Sequence, residues 1–159
     1  MRKFILFLLV IVLVAAAGVC FIPRVRQVMQ LFYYDAEEVF MLIYPGSRVD
    51  RAIASGVIDN AEIVFSDITH TPQENIELYG PLGRYAVSST LGAVSETHDL
   101  QLWSAYIDED DGYIWVNYSH EAFDANGNIV YGSLDIPSLW HIEINDDGIW
   151  IVTYIKEHP

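Results

Sequence analysis

The first hydrophobic pattern in the chain is an uninterrupted run of 19 residues, 4–22, that contains no charged side chain. As an α-helix this run would extend about 28 Å, close to the hydrocarbon thickness of a bilayer. Arg2 and Lys3 precede it and Arg24 follows it. The pattern predicts a membrane segment within residues 1–23 and a single-domain body over residues 24–159.

Three fates of this membrane segment are open. It can remain as an uncleaved signal anchor, or it can be a signal peptide cleaved after Ala17, which would secrete the body. Alternatively, Cys20 can carry a lipid. Each fate places the body on the far side of the membrane, and the short basic N-terminus favours the same orientation. We therefore predict an extracytoplasmic body, anchored through residues 4–22 unless cleavage occurs.

The body begins with apolar residues at helical spacing. This pattern predicts an amphipathic helix over residues 25–44. Ser47 is placed to cap a second, short helix that Gly56 would end. A threonine followed by proline predicts a third short helix over residues 72–78.

Period-two alternation predicts strands in most of the remaining chain. The predicted strands cover residues 61–66, 85–91, 98–107, 113–123, 129–145 and 149–156. Asn-Gly and Asp-Gly turns separate the last four, which is the strongest local signal for antiparallel hairpins. Pro137 indicates a bulge or an edge position. The order predicts an α+β fold with N-terminal helices packed on a mostly antiparallel sheet.

The predicted strand 113–123 is apolar on both faces, so we expect something to cover each face. One side carries Tyr113, Trp115 and Phe123, and the other carries Ile114, Val116 and Tyr118. A helix is expected on one face. A ligand, a partner or another protein surface is expected on the other.

Charge narrows the classes of function. The chain has 22 acidic and 8 basic residues, for a net charge of −14. Phosphate binding needs clustered Lys and Arg, so a nucleic-acid partner is excluded on this ground. The body contains no cysteine, and the chain shows no zinc spacing and no cofactor fingerprint. No metal and no cofactor is therefore predicted.

Acidic turns at residues 108–112 and 124–128 place oxygen ligands at alternating positions, which raises the possibility of calcium. Their glycines are not at the sixth position that an EF-hand loop requires. Hairpin-turn chemistry accounts for both segments, because Asp, Asn and Gly are the residues that tight turns favour.

The final hairpin carries a family resemblance. Its residues are Trp140-His141-Ile142-Glu143, the Asp147-Gly148 turn, Trp150-Ile151-Val152 and Ile155-Lys156-Glu157, with Val116-Asn117-Tyr118 and Asn126-Gly127 before them. This stretch resembles the nuclear transport factor 2-like superfamily, which includes SnoaL-like and ketosteroid-isomerase-like proteins, and small exported domains of Gram-positive bacteria. The resemblance implies a cone of helices on a curved sheet, with dimerisation through the sheet as a common property. A cystatin-like fold is the alternative, although the inhibitor motif Gln-x-Val-x-Gly is absent.

An enzyme of that superfamily would need a general base inside the cone. The available groups are Asp99, Glu121, Asp135, His120 and His141. None lies in a recognisable catalytic motif, so no catalytic residue is predicted. Aromatic and histidine side chains on the long strands are the candidates for lining a pocket. They are Trp103, Tyr106, Trp115, Tyr118, His120 and His141, with Trp103 and Trp115 expected to pair across a hairpin and the two histidines on adjacent strands.

These features predict a non-enzymatic, membrane-tethered module that binds a protein or a small ligand outside the membrane, or forms a homodimer through its sheet. The alternative is a small-molecule enzyme or carrier that uses the cone cavity. A cone filled by Trp and Tyr would favour the module, whereas an open pocket with convergent His or acidic groups would favour the enzyme.

Overall fold

A four-stranded antiparallel sheet dominates the computed structural model, which describes residues 31–44 and 46–157. The strands are β1 (Ser95–Asp108), β2 (Asp111–Phe123), β3 (Ile129–Ile144) and β4 (Trp150–Glu157), and they pair in chain order. The four C-terminal strands predicted from alternation are thus confirmed. The fold is α+β with a curved sheet, and bulges in all three strand pairs add to its bending.

Within the described residues, three α-helices precede the sheet. They are α1 (Ala36–Ile43), α2 (Arg48–Phe65) and α3 (Pro72–Tyr79), followed by 3₁₀ turns at Gly80–Arg84 and Ser89–Leu91. Each α-helix begins with a capping box, formed by Asp35, Ser47 and Thr71 with the acidic residue three positions on. Such caps satisfy the free N–H groups of the first turn, which is why the starts at Ser47 and Thr71 could be predicted.

Three predicted elements are corrected. The helix expected over 25–44 is interrupted by a turn at residues 32–34, and α1 begins only after Asp35; residues 25–30 lie outside the described part. Gly56 does not end the second helix, because α2 continues to Phe65 and includes the predicted strand 61–66. The alternation there is incidental: Ile63 is 63% exposed while Ile58, Ala61 and Phe65 are buried, which is helical spacing.

The predicted strand 85–91 is irregular chain with a 3₁₀ turn. Val87 N–H donates to Asp67 O and Ser89 N–H donates to His70 O, so this segment pairs with the loop after α2 and not with the sheet. Burial of Tyr85 and Val87 in the core explains why their alternation resembled a strand.

Both faces of the sheet are partly covered, as the apolar pattern predicted. The inner face, which carries Ile114, Val116 and Tyr118, packs against α2 and forms the main core. The outer face, which carries Tyr113 and Trp115, contacts Tyr34 and α1.

Pro137, predicted to mark a bulge or an edge position, lies on an inner strand, where it pairs with Asn117 of β2. The register shift between β2 and β3 occurs just before it, and the described ladder between β3 and β4 ends at the next residue, Ser138. Among the described residues, no helix has both the length and the apolar content needed to cross a membrane. The predicted segment 4–22 lies outside them.

Candidate functional site

The six predicted pocket residues do not form one pocket. Tyr118 and His120 lie on the inner face, whereas Tyr106, Trp115 and His141 lie on the outer face with Trp103. The proximity expected for His120 and His141 is therefore wrong. His120 on β2 pairs with Ser133 on β3, and His141 on β3 pairs with Tyr113 on β2. Even-numbered and odd-numbered residues of β2 point to opposite faces, so His120 lies on one face while Tyr113 and its partner His141 lie on the other.

Trp103 and Trp115 pack in the same outer cluster, but they are not direct cross-strand partners. The partner of Trp115 is Ser104, and the register shifts between Leu102 and Ser104 so that Trp103 is the extra residue of a bulge. The expected pairing failed because a bulge adds a residue to one strand only.

Aromatic side chains occupy the inner face. The Phe65 ring stacks on Tyr85 at 4.6 Å between centroids, and Tyr118 lies 4.9 Å from Tyr85. Tyr85 Oη lies 2.9 Å from Ser138 Oγ, and Trp140 Nε1 donates to Tyr85 Oη at 3.0 Å. Burial raises the pKa of both tyrosines, so their hydroxyls stay protonated. The side chains between α2 and the sheet are thus packed against one another and hydrogen-bonded.

His120 is fully buried at one end of this face. Its ring lies 5.1 Å from Phe65 and 5.2 Å from Tyr131, and Nε2 is 3.6 Å from Glu96 Oε2. Neither ring nitrogen makes a hydrogen bond of good geometry, although the Phe65 backbone is near enough to favour the charged ring. Burial dominates and lowers the pKa of His120 to about 4, against the opposing influence of Glu96. The ring is therefore neutral at pH 7.

Tyr34 and α1 cover one part of the outer face. Tyr34 Oη lies 2.7 Å from Pro137 O and 3.0 Å from Lys156 O, and Trp115 Nε1 donates to Glu38 O at 3.0 Å. Lys156 Nζ donates to both carboxylate oxygens of Glu38, at 2.7 and 2.8 Å. These contacts hold α1 across β2, β3 and β4.

Beside this covered part, an aromatic row crosses the whole sheet. Cross-strand register places Tyr106 opposite Tyr113, Tyr113 opposite His141, and His141 opposite Tyr154. Cross-strand partners share a face, so the four rings form one line on the outer face. Tyr106 is 42% exposed and Tyr154 is 60% exposed, while Tyr113 and His141 contact each other at 4.7 Å between centroids.

An acidic row lies one step further along the strands. Asp108 pairs with Asp111, and Asp111 pairs with Glu143, so three exposed carboxylates share the outer face with the aromatic row. In addition, a groove of about 400 Å³ opens beside Tyr106 and is lined by Glu37, Met41, Tyr44 and Tyr106. Two of the predicted pocket residues, Tyr106 and His141, thus belong to a continuous surface.

The histidine–carboxylate pair of His70 and Asp67 was not predicted from the sequence. Asp67 accepts hydrogen bonds from Thr69 N–H, Thr69 Oγ1, Tyr79 Oη and His70 Nδ1, the last at 2.6 Å. Burial alone would raise the pKa of Asp67, but these bonds outweigh burial and lower it. The only local sequence signal is an aspartate two residues before a threonine, which is common in turns.

The other candidate groups for catalysis do not converge. Asp99 accepts from Gln101 Nε2 on β1, Glu121 is on β2 and Asp135 lies in the bulge of β3 with φ +52°. Within the described residues, no three His, Cys, Asp or Glu side chains are grouped to hold a metal ion. The calcium-like segment 124–128 is a turn in which Asp124 accepts from the N–H groups of Asn126 and Asn128.

Comparison with known proteins gives no match: no family model, no curated protein and no solved structure is similar to this chain. The nuclear transport factor 2-like resemblance stays a prediction.

Proposed function

We propose that this chain is an exported, membrane-tethered, non-enzymatic module that binds a protein ligand through the outer face of its sheet. The observation that carries the proposal is the aromatic row of Tyr106, Tyr113, His141 and Tyr154, in which the two end residues, Tyr106 and Tyr154, are exposed. Soluble proteins seldom expose contiguous aromatic surface unless it contacts something, and tyrosine is enriched in protein interfaces.

The filled inner face supports the module over the enzyme or carrier. A carrier of the superfamily it resembles would use the space between the helices and the sheet. In this chain Phe65, Tyr85, Tyr118 and Trp140 occupy that space with stacked or hydrogen-bonded contacts. His120 and His141, whose convergence in an open pocket would have favoured the enzyme, lie on opposite faces.

Site-specific photo-crosslinking in intact cells tests the binding face. A photoreactive phenylalanine analogue replaces Tyr154 in the full chain, and in a matched control it replaces Ile63, which is equally exposed on α2. We expect a discrete protein adduct from position 154 and none from position 63. Equal adducts from both positions, or none from either, would refute the proposed binding face.

Protease added to the same intact cells tests the location. An extracytoplasmic body would be digested while a cytoplasmic marker protein stays intact. Protection of the body until the cells are lysed would overturn the exported part of the proposal. Mass spectrometry of the mature N-terminus then separates the anchor, cleavage after Ala17 and a lipid on Cys20.

A further inference from the structure

We infer that the ligand of the outer face is a polypeptide segment rich in Lys and Arg that also carries a large apolar side chain. This inference rests on the proposed function and adds the chemistry of the partner. It follows from three neighbouring features of one surface: the aromatic row, the acidic row and the groove beside Tyr106.

The two rows offer two attractions to the same cation. A guanidinium or ammonium group is attracted to the face of a tyrosine ring, and the adjacent carboxylates attract its charge. Residues two apart on one strand are about 7 Å from each other, which a long Arg or Lys side chain can span. Tyr113 and Asp111 on β2 have this spacing, whereas on β3 the Glu143 carboxylate lies 3.4 Å from His141 Nδ1, so the acid and the ring are already side by side.

The chain already uses the same combination on the same face. Lys156 Nζ lies 5.7 Å from the Tyr34 ring centroid and 5.9 Å from that of Tyr33, and it donates to Glu38 at 2.7 Å. A lysine between tyrosine rings and a carboxylate therefore holds α1 on the sheet. The acidic row and the exposed ends of the aromatic row, Tyr106 and Tyr154, present the same kinds of partner to an external lysine or arginine.

Charge complementarity selects this occupant over others. Acidic residues in the neighbouring turns, Glu109, Asp110, Asp146 and Asp147, extend the negative surface beside the acidic row. Nucleic acid and anionic membranes would be repelled by it. A second copy of this chain would bring its own net charge of −14. A neutral glycan could stack on tyrosine rings but would gain little from the carboxylates.

The groove beside Tyr106 accounts for the apolar part of the ligand. Met41, Tyr44 and Tyr106 supply an apolar lining, and the Tyr44 and Tyr106 rings meet edge-on at 6.3 Å. Its volume of about 400 Å³ is ample for one aromatic or long aliphatic side chain. Glu37 lies at the same groove and adds a further carboxylate.

Fluorescence anisotropy with defined peptides tests the inference. The full chain in micelles of a nonionic polyoxyethylene detergent is titrated against labelled (Gly-Arg-Phe-Lys)₃ and the neutral (Gly-Gln-Phe-Gln)₃. At about 50 mM NaCl we expect the basic peptide to bind at least about tenfold more tightly than the neutral peptide. At about 300 mM NaCl the basic peptide should bind several-fold more weakly than at about 50 mM, because salt screens exposed charges.

Charge-matched double variants separate a local site from the overall charge. D111N/E143Q removes two carboxylates of the acidic row, and D59N/E62Q removes two exposed carboxylates of α2. We expect the first pair to weaken binding of the basic peptide at least about fivefold and the second to leave it within about twofold. Equal weakening by both pairs would show non-specific attraction and would overturn the inference.

A second pair of variants tests the aromatic row. Tyr154→Ser should weaken binding of the basic peptide several-fold, whereas Ile63→Ser, at a similarly exposed site on α2, should not. Circular dichroism melting curves establish that each variant is folded.

Two further results would overturn the inference. The first, equal binding of the neutral and basic peptides with the same loss in Tyr154→Ser, would leave the proposed function intact. The second, binding of a soluble neutral hexasaccharide at the aromatic row without binding of the basic peptide, would also contradict the protein ligand of the proposed function. Failure of the crosslinking at position 154 is a separate result that refutes the proposed function itself.

Discussion

At the scale of single residues, burial decides the chemistry of His120. The ring has no exposed surface, and Phe65 and Tyr131 flank it. Glu96 lies 3.6 Å from Nε2, and the ring centroid of His98 is 6.2 Å away. Such a site disfavours the charged ring, so the pKa of His120 falls to about 4.

His120 makes stability depend on pH below neutrality. Above pH 6.5, the usual pKa of histidine, the ring is neutral in both states. As the pH falls below 6.5 the unfolded chain takes up a proton that the folded chain takes up only near pH 4, so folding stability is lost over this window. We expect a loss of about 2 kcal/mol in the free energy of unfolding between pH 7 and pH 5.

Urea denaturation at the two pH values measures this effect. Between pH 7 and pH 5, His120→Gln should lose about 2 kcal/mol less of its free energy of unfolding than the natural chain loses. His141→Gln is the matched control, because His141 is partly exposed on the other face and bonds Thr153 Oγ1 at 3.0 Å. The explanation is wrong if His120→Gln loses as much stability as the natural chain.

Asp67 is the second residue whose surroundings set its charge. Four hydrogen bonds converge on its carboxylate, and its pKa is lowered. The bonds tie the loop after α2 to Tyr79 at the end of α3. The carboxylate therefore stabilises the fold above pH 3.8, the usual value for aspartate, and this contribution is lost as the pH falls through the lowered pKa.

Asp67→Asn should lower the free energy of unfolding at pH 7 by about 1–3 kcal/mol, because the amide carries no charge and can accept at only one of its two terminal atoms. Asp59→Asn, at an exposed site on α2, is the control and should change little. Urea denaturation of both variants at pH 7 and pH 3 measures the effect. The difference in the free energy of unfolding between Asp67→Asn and the natural chain should be smaller at pH 3 than at pH 7.

At the scale of elements, α2 shows where local patterns mislead. In the sequence, residues 61–66 carry the alternation that predicts a strand. In the structure they belong to the last turns of α2, where buried Ala54, Ile58, Ala61 and Phe65 recur at helical spacing. The Ser47 cap favours helix from the N-terminal side, and packing of this stripe on the inner face selects the helix over the strand. Gly56 is tolerated on the exposed side.

Two glycines give opposite predictions for the same substitution. At Gly56 an added Cβ meets nothing within 4 Å, so Gly56→Ala should raise the free energy of unfolding by about 0.5–1 kcal/mol. At Gly83 an added Cβ collides with the backbone of Asn75 in α3, so Gly83→Ala should lower it by at least about 1–3 kcal/mol.

Urea denaturation of the two variants checks this contrast, and each serves as the control for the other. Gly83 lets the 3₁₀ turn Gly80–Arg84 approach α3 closely. If Gly83→Ala were as stable as the natural chain, the close approach of these two elements would be incorrect.

At the scale of the whole molecule, many acidic residues lie in the hairpin turns, at 108–111, 124, 146 and 147, and polar side chains hold two of these turns together. Asp124 accepts from Asn126 N–H, Asn128 N–H and Asn128 Nδ2, and Asn145 Oδ1 accepts from two N–H groups in the last turn. These bonds occupy the oxygen atoms that a calcium ion would use. The remaining exposed acids of the outer face are the ones that the inferred basic ligand would meet.

Calcium should therefore not stabilise the chain. We expect the same melting temperature in millimolar CaCl₂ and in an ionic-strength-matched solution of MgCl₂, because neither segment has an EF-hand arrangement and the Asp124 carboxylate already accepts from N–H groups. Differential scanning calorimetry of the full chain in nonionic detergent measures it. A higher melting temperature in calcium alone would restore the calcium-loop interpretation of residues 108–112 or 124–128.

Local sequence patterns were enough to predict the α+β class, the four C-terminal strands, the caps at Ser47 and Thr71, and the acidic surface. These features depend on local periodicity, turn residues and charge, which are readable within a few residues. The tertiary structure decided the rest. The side-chain alternation of a strand has period two, but which residues face each other across strands depends on register and on bulges such as the one at Trp103. That is why the sequence grouped His120 with His141, and why only the paired strands align Tyr106, Tyr113, His141 and Tyr154 in one row.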